Sequence, residues 1–201
     1  MTLVPFPGNR RRNPPTPAAS PEAPVETVAS GTLYIVAEPV LPTDDLAALD
    51  RLRAQYHRAE AATIGAHFTI VFAAPATELA TLTMALAATA ARTRPFWFAL
   101  RRLSTFAHPL TRLGYLQADA DEGSEELAAL HRALDPTYGR EPYTPHVTLG
   151  RFDTAIEAER IARIVERQLL PIQGRIETLR LIDVRAGRVE ELATVGLSGG
   201  A

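Results

Sequence analysis

His67-Phe68-Thr69-Ile70 returns 79 residues later as His146-Val147-Thr148-Leu149, and the reading of these two stretches decides the fold. Successive side chains of a β-strand point to opposite faces, so a His and a Thr two positions apart project side by side. The flanks, Val71-Phe72 after the first copy and Pro145 before the second, read as buried strand rather than helix. Two such strands facing each other make a pocket holding two imidazoles and two hydroxyls. With five histidines in 201 residues the bare His-x-Thr pattern is a weak signal. What strengthens it is the order of elements around it.

Leu33 to Ala37 reads as a strand, and Leu46, Leu49, Leu52 and Tyr56 then recur at helical spacing behind a Pro42-Thr43-Asp44 start. The first His strand follows Gly65. A helix from about Thr77 carries Leu79, Leu82 and Leu86, and a strand from Phe96 to about Phe106 closes the first half. The order then repeats with a strand from Leu113 to Ala118, a helix from Ser124 with Leu127, Leu130 and Leu134, and the second His strand, His146 to Phe152. A helix opened by the capping box Thr154-x-x-Glu157 carries Ile161, Ile164, Val165 and Leu169. A strand from Ile176 to Val184 turns at Ala186-Gly187 into a last strand, Val189 to Leu197. One offset of 79 carries 33 to 112, 46 to 125, 67 to 146 and 96 to 175. The expectation is an α+β fold of two duplicated lobes of antiparallel sheet, about 31–110 and 111–197, related by a pseudo-two-fold axis, with flanking helices and a central cleft.

Composition narrows the chemistry. A formal charge of −2 and a pI near 6.2 give no net drive toward nucleic acid, so any such contact is local and short. There is no cysteine, which removes disulfides, thiolate nucleophiles and sulfur-ligated zinc. There is also no lysine: all 21 basic residues are arginine, which removes a Schiff base, a covalent lysyl-nucleotide and a P-loop lysine. Residues 1–30 hold seven prolines, the run Arg10-Arg11-Arg12 and no apolar periodicity, and read as a disordered tail preceding one domain, 31–201. The tail lacks the apolar stretch of a signal peptide, and no segment offers the ~20 apolar residues of a membrane span, so a cytoplasmic monomer without membrane contact is expected.

The pair His67-Phe68-Thr69-Ile70 and Pro145-His146-Val147-Thr148-Leu149-Gly150-Arg151-Phe152 resembles the two HxTx signature motifs of the two-histidine phosphoesterase superfamily, in its 2′-5′ RNA ligase (RNA 2′,3′-cyclic phosphodiesterase) branch. The resemblance spans about residues 31 to 197. It implies a bilobal α+β fold and a metal-independent, cofactor-free hydrolase that opens 2′,3′-cyclic phosphates at RNA ends or in nucleotides to 2′-phosphates, with reversible 2′-5′ ligation in some members. It also implies His67 and His146 as the acid/base pair, and Thr69 and Thr148 as phosphate ligands.

The chemistry of the residues fits that resemblance. Attack and departure at phosphorus are roughly in line, so a base and an acid are needed on opposite sides, and two imidazoles with ordinary pKa near ~6.5 supply both. Threonine hydroxyls donate to the oxygens where charge builds. Arg151 is a candidate for a further phosphate contact, but strict alternation from His146 puts it on the opposite face, so this role requires a β-bulge or a strand end. Phe106, Tyr115 and Tyr143 are candidates to stack a base, with core packing as the plainer reading of each. His108, His57 and His131 lack a paired hydroxyl and read as surface residues. Two other readings stay open: a metallohydrolase ligated by His67, His146 and a carboxylate, and a non-catalytic nucleotide- or RNA-binding module on the same fold.

Overall fold

The computed structural model describes residues 31–135, 143–185 and 187–199; the proline-rich segment 1–30 lies outside them. The elements run β1 (Thr32–Val40), α1 (Thr43–Tyr56), α2 (Arg58–Ala61), β2 (Phe68–Pro75), a 3₁₀ turn (Ala76–Glu78), α3 (Leu79–Ala90), β3 (Phe96–Ala107), β4 (Gly114–Ala120), α4 (Ser124–Leu134), β5 (His146–Phe152), α5 (Ala155–Leu169), β6 (Ile172–Arg185) and β7 (Arg188–Gly196). Each end has a local cause. Asp44 and Asp45 complement the dipole in the first turn of α1, and the Thr154 hydroxyl accepts the Glu157 backbone N–H at 3.2 Å to open α5. Gly187, in the left-handed region at φ 79°, turns β6 into β7. The sequence did not foreshadow the short α2, or the 3₁₀ turn that delays α3 to Leu79.

All strand pairs are antiparallel, in the order β1-β2-β5-β4-β3-β6-β7, and β6 also pairs β1. The pairing therefore closes on itself, with β7 appended. Strands are exchanged between the halves of the sequence: β3 pairs β4, and β6 pairs β1. Two further pairings join the halves. At one, Phe68 pairs Val147, 79 positions on, in the only registered pair between β2 and β5. At the other, Phe96 pairs Ile176 and Trp97 pairs Arg175, so each residue faces the 79-offset counterpart of its neighbour. Along the intervening strands the offset slips: Ala37 pairs Phe68 while Ala118 pairs Val147, so β1 and β4 correspond at 81 rather than 79.

The helices cover the outer face of the sheet. α5 lies across β3, β4 and β5 with α1 beside it on β5, while α4 packs on β2 and α3 on β6 and β7. Phe68, Ile70, Phe98, Leu116, Val147 and Leu149 fill the layer between, all buried. Burying such side chains stabilises by roughly 1.5–3 kcal/mol each, and it pins the alternate residues of β2 and β5 to the inner face. Close approach also constrains the edge of this layer. A Cβ on Gly114 would lie 2.4 Å from the Thr154 carbonyl oxygen and 2.8 Å from Ala155 Cα, both backbone at the entry to α5. Gly114→Ala is expected to cost about 1–3 kcal/mol, as overpacking does. Urea denaturation checks this, and an unchanged midpoint would mean that the entry of α5 yields freely.

Candidate active site

His67 directly precedes β2 and His146 opens β5. On each strand the apolar alternates are buried while His67, Thr69, His146 and Thr148 are partly open. Extending the Phe68–Val147 register one step each way sets His67 opposite Thr148 and Thr69 opposite His146. At ~4.8 Å between strands and ~3.4 Å per residue, the two His Cα atoms lie about 8 Å apart along the diagonal, a separation that lets two rings bracket a phosphate.

Both rings are anchored the same way. His67 Nδ1 lies 2.9 Å from the Gly65 carbonyl, and His146 Nδ1 lies 2.8 Å from the Thr144 carbonyl. A carbonyl can only accept, so each Nδ1 carries the proton and the Nε2 of each neutral ring is its acceptor. Each anchor comes from the residue two positions upstream. Nothing in the sequence distinguished those carbonyls from any others.

Gln117 and Asp119 belong to the site although the sequence reading did not single them out. On β4, Gln117 pairs Thr148 and Asp119 pairs His146. Gln117 Nε2 donates to His146 Nε2 at 3.0 Å. Asp119, 5% exposed, accepts from Ser104 Oγ at 2.7 Å and Arg102 Nη2 at 3.0 Å. Counting by twos from Tyr115 would have found both. Burial, together with Arg53, His57 and His146 nearby, lowers the His67 pKa to about 4 against the pull of the Gly65 carbonyl. Burial also lowers that of His146, opposed there by the Thr144 carbonyl and the Asp119 charge.

Of the two devices that could turn Arg151 inward, a bulge and a strand end, the strand has the bulge. Gln117 pairs Thr148 but Leu116 pairs Gly150, so Leu149 is the extra residue, and Arg151 resumes the face of His146 and Thr148. Its guanidinium lies 3.6 Å from the Glu60 carboxylate, which also holds His57 Nε2 at 3.3 Å. Phe106 pairs Tyr115, which pairs Arg151, so these three sequence candidates form one row across β3, β4 and β5, with the two rings 6.3 Å apart. Tyr143 is placed differently. Its hydroxyl donates to the Thr69 carbonyl at 2.9 Å, and its ring stacks on His131 at 4.1 Å, so it braces β2 against the lead into β5.

His57 and His131 are not surface residues: they are 9% and 5% exposed. His57 sits at the junction of α1 and α2, while α4 faces β2 and its His131 Nδ1 donates to the Ile70 carbonyl at 2.7 Å. His108 caps its own turn, its Nδ1 accepting the backbone N–H groups of Leu110 and Thr111. A second aromatic pair was also missed. Val36 pairs Thr69, so Tyr34, two positions along β1, shares that face. The Phe72 ring, 53% exposed, meets the Tyr34 ring edge to face at 5.3 Å. The adjacent β1 residues Val36 and Ile35 pair Thr69 and Val71, so β2 carries an extra residue between those two, and this bulge aims Phe72 inward.

This inner face with paired His and Thr side chains, on an antiparallel sheet backed by helices, is the architecture of a two-histidine phosphoesterase. The chain belongs to the 2′-5′ RNA ligase superfamily, whose family model matches residues 41–188. Its structure is similar to that of Escherichia coli LigT complexed with ATP, at 20% identity and TM-score 0.56, covering 84% of this chain and 98% of that one. It is also similar to TT0787 of Thermus thermophilus (20% identity, TM-score 0.54, 85% and 100% covered) and to Kluyveromyces marxianus Usb1 (14%, 0.52, 85% and 99%). No curated protein matches the chain. Among the described residues no helix is long and apolar enough to cross a membrane, and no group of three His, Cys, Asp or Glu side chains is placed to hold a metal ion.

The lowered His67 pKa has a consequence for stability. Between an unfolded value near ~6.5 and a folded value of about 4, the unfolded chain binds a proton that the folded chain refuses, so stability falls as pH drops through that window. His67→Asn is expected to lose less stability than wild type between pH 7 and pH 4.5. Denaturant midpoints at the two pH values check this, and equal losses would refute it.

Proposed function

We propose that this protein hydrolyses 2′,3′-cyclic phosphodiesters, at RNA ends or in nucleotides, to 2′-phosphates, with His67 and His146 as the acid/base pair and no metal taking part. The observation that carries the reading is the shared anchoring of the two rings, which leaves two Nε2 atoms on the inner face beside two threonine hydroxyls. One ring accepts the proton of the attacking water, and the other protonates the departing ribose oxygen on the far side of phosphorus. Thr69 and Thr148 donate to the non-bridging oxygens, and Arg151 adds a cation to that side once the bulge has turned it inward. The Tyr34–Phe72 pair and the Phe106–Tyr115 pair flank the phosphate position and offer ring faces to a base. Escherichia coli LigT has been solved with ATP, with 3′-AMP and with phosphate. Ligation uses the same groups: a 5′-hydroxyl takes the place of water, its oxygen bonds to the phosphorus of the 2′,3′-cyclic phosphate while the bond to the ribose 3′ oxygen breaks, and a 2′-5′ phosphodiester with a free 3′-hydroxyl results.

Turnover of 2′,3′-cyclic nucleotides and of cyclic-phosphate-ended RNA in EDTA tests the reading. His67→Ala and His146→Ala are each expected to lose ~10² to 10⁴-fold in rate, the range general acid or base catalysis supplies, and the double variant less than the product of the two. Thr69→Ala and Thr148→Ala are expected to lose less, since each deletes one hydrogen bond to a charged group, worth about 1.5–3 kcal/mol. Folded His variants at full rate, or a wild type silenced by EDTA, would sink the reading. Tight nucleotide binding with no turnover would point instead to a binding module.

A further inference from the structure

The two histidines are anchored alike but have unlike neighbours. On β4 the residues opposite Thr148 and His146 are Gln117 and Asp119. On β1 the residue opposite Thr69 is Val36, and two positions on the Glu38 carboxylate is ion-paired with Arg180, which also pairs Glu191. The groups whose charge acts on His67 all disfavour its protonated form: the Arg53 guanidinium from α1 and, whenever they carry a proton, His57 at the α1–α2 junction and His146. Two carboxylates offset Arg53, Asp50 of α1 ahead of Glu60 of α2, and Glu60 is itself engaged by His57 and by Arg151 of β5. The charge acting on His146 is the buried carboxylate of Asp119. Arg102 of β3 neutralises that carboxylate only in part, because the Arg102 side chain is 73% exposed and its charge is screened by water.

We propose that His146 is the general acid and His67 the general base, and that Asp119 is the positioning residue that fixes this assignment by favouring the proton on His146. The proposal rests on the cyclic phosphodiesterase reading. In the hydrolytic step a water oxygen bonds to phosphorus while the bond from phosphorus to the ribose 3′ oxygen breaks. His67 Nε2 takes the water proton, His146 Nε2–H gives its proton to the 3′ oxygen, and the product is the 2′-phosphate with both rings exchanged in charge. Gln117 suits either state of His146, since its amide donates to a bare Nε2 and, turned over, accepts from Nε2–H.

The test is the pH dependence of kcat/KM with adenosine 2′,3′-cyclic phosphate, whose limbs report the free enzyme. His67 must be neutral, so it sets the low-pH limb, and His146 must be protonated, so it sets the high-pH limb. Asp119→Asn keeps the shape and an acceptor for Ser104 but removes the charge, so the high-pH limb is expected to move down by about half to one pH unit while the low-pH limb stays. Arg102→Gln unmasks the carboxylate from a solvent-exposed position that leaves the fold intact, so the same limb is expected to move up. NMR titration of the two imidazoles should show His146 alone following both changes. A wild type that turns over, with its high-pH limb unmoved in both variants or its low-pH limb moved instead, overturns the assignment alone. A wild type with no turnover of any cyclic phosphate sinks the cyclic-phosphate reading and the assignment with it. Should Asp119→Asn fail to fold, Arg102→Gln decides by itself.

Discussion

The site depends on one antiparallel register, the pairing of Phe68 with Val147. Both side chains are buried against the helical layer, so a slip of one residue would turn Phe68 or Val147 inward and His67 or His146 into the core. The cost of exposing that apolar surface and burying an imidazole without a partner fixes the register far more strongly than one pair of backbone hydrogen bonds could. Neighbouring interactions reinforce it. Tyr143 reaches from the lead into β5 to the Thr69 carbonyl, and His131, stacked under it, takes the Ile70 carbonyl. Burial raises the Tyr143 pKa, so the brace stays protonated and able to donate.

Around this register the site is electrically lopsided. Arg53, His57 and Arg151 gather on the His67 side with Glu60 among them, and burial lowers the pKa of Arg53 despite Asp50 and Glu60. Arg53 spends Nη1 on the Ile64 carbonyl at 3.0 Å, while the buried Arg53 Nε and His57 Nδ1 have no hydrogen-bond partner among the described residues. Such groups cost stability when buried. Their arrangement follows the general trade between stability and function, in which preorganised charge faces the place where an anion is handled.

The irregularities of the strands contribute as much as their regular parts. The extra residue Leu149 returns Arg151 to the inner face, and the extra residue between Thr69 and Val71 does the same for Phe72 on the other strand. Phe72 and Arg151 stand at the same 79-residue offset as the histidines. Equivalent positions thus carry an aromatic ring on one side and a cation on the other, so the two walls differ chemically on one shared frame.

The sequence by itself determined the seven strands and the four longer helices, the α+β class, and the His/Thr pairs as the centre of interest, because alternation and helical periodicity are local properties recorded residue by residue. The repeat was legible for the same reason, although its single offset was too simple: paired registers, which only the folded sheet displays, make it 81 between β1 and β4. Tertiary structure alone decided the rest. The inward turn of Arg151 depends on a bulge that hydropathy does not encode, and the burial of His57 and His131 depends on which helix face meets a sheet made by distant strands. The inequality of the two histidines was equally invisible, since their motifs match. Asp119 lies 27 positions from His146 and Arg53 lies 14 from His67, and only cross-strand pairing and helix packing bring these charges close enough for their fields to act.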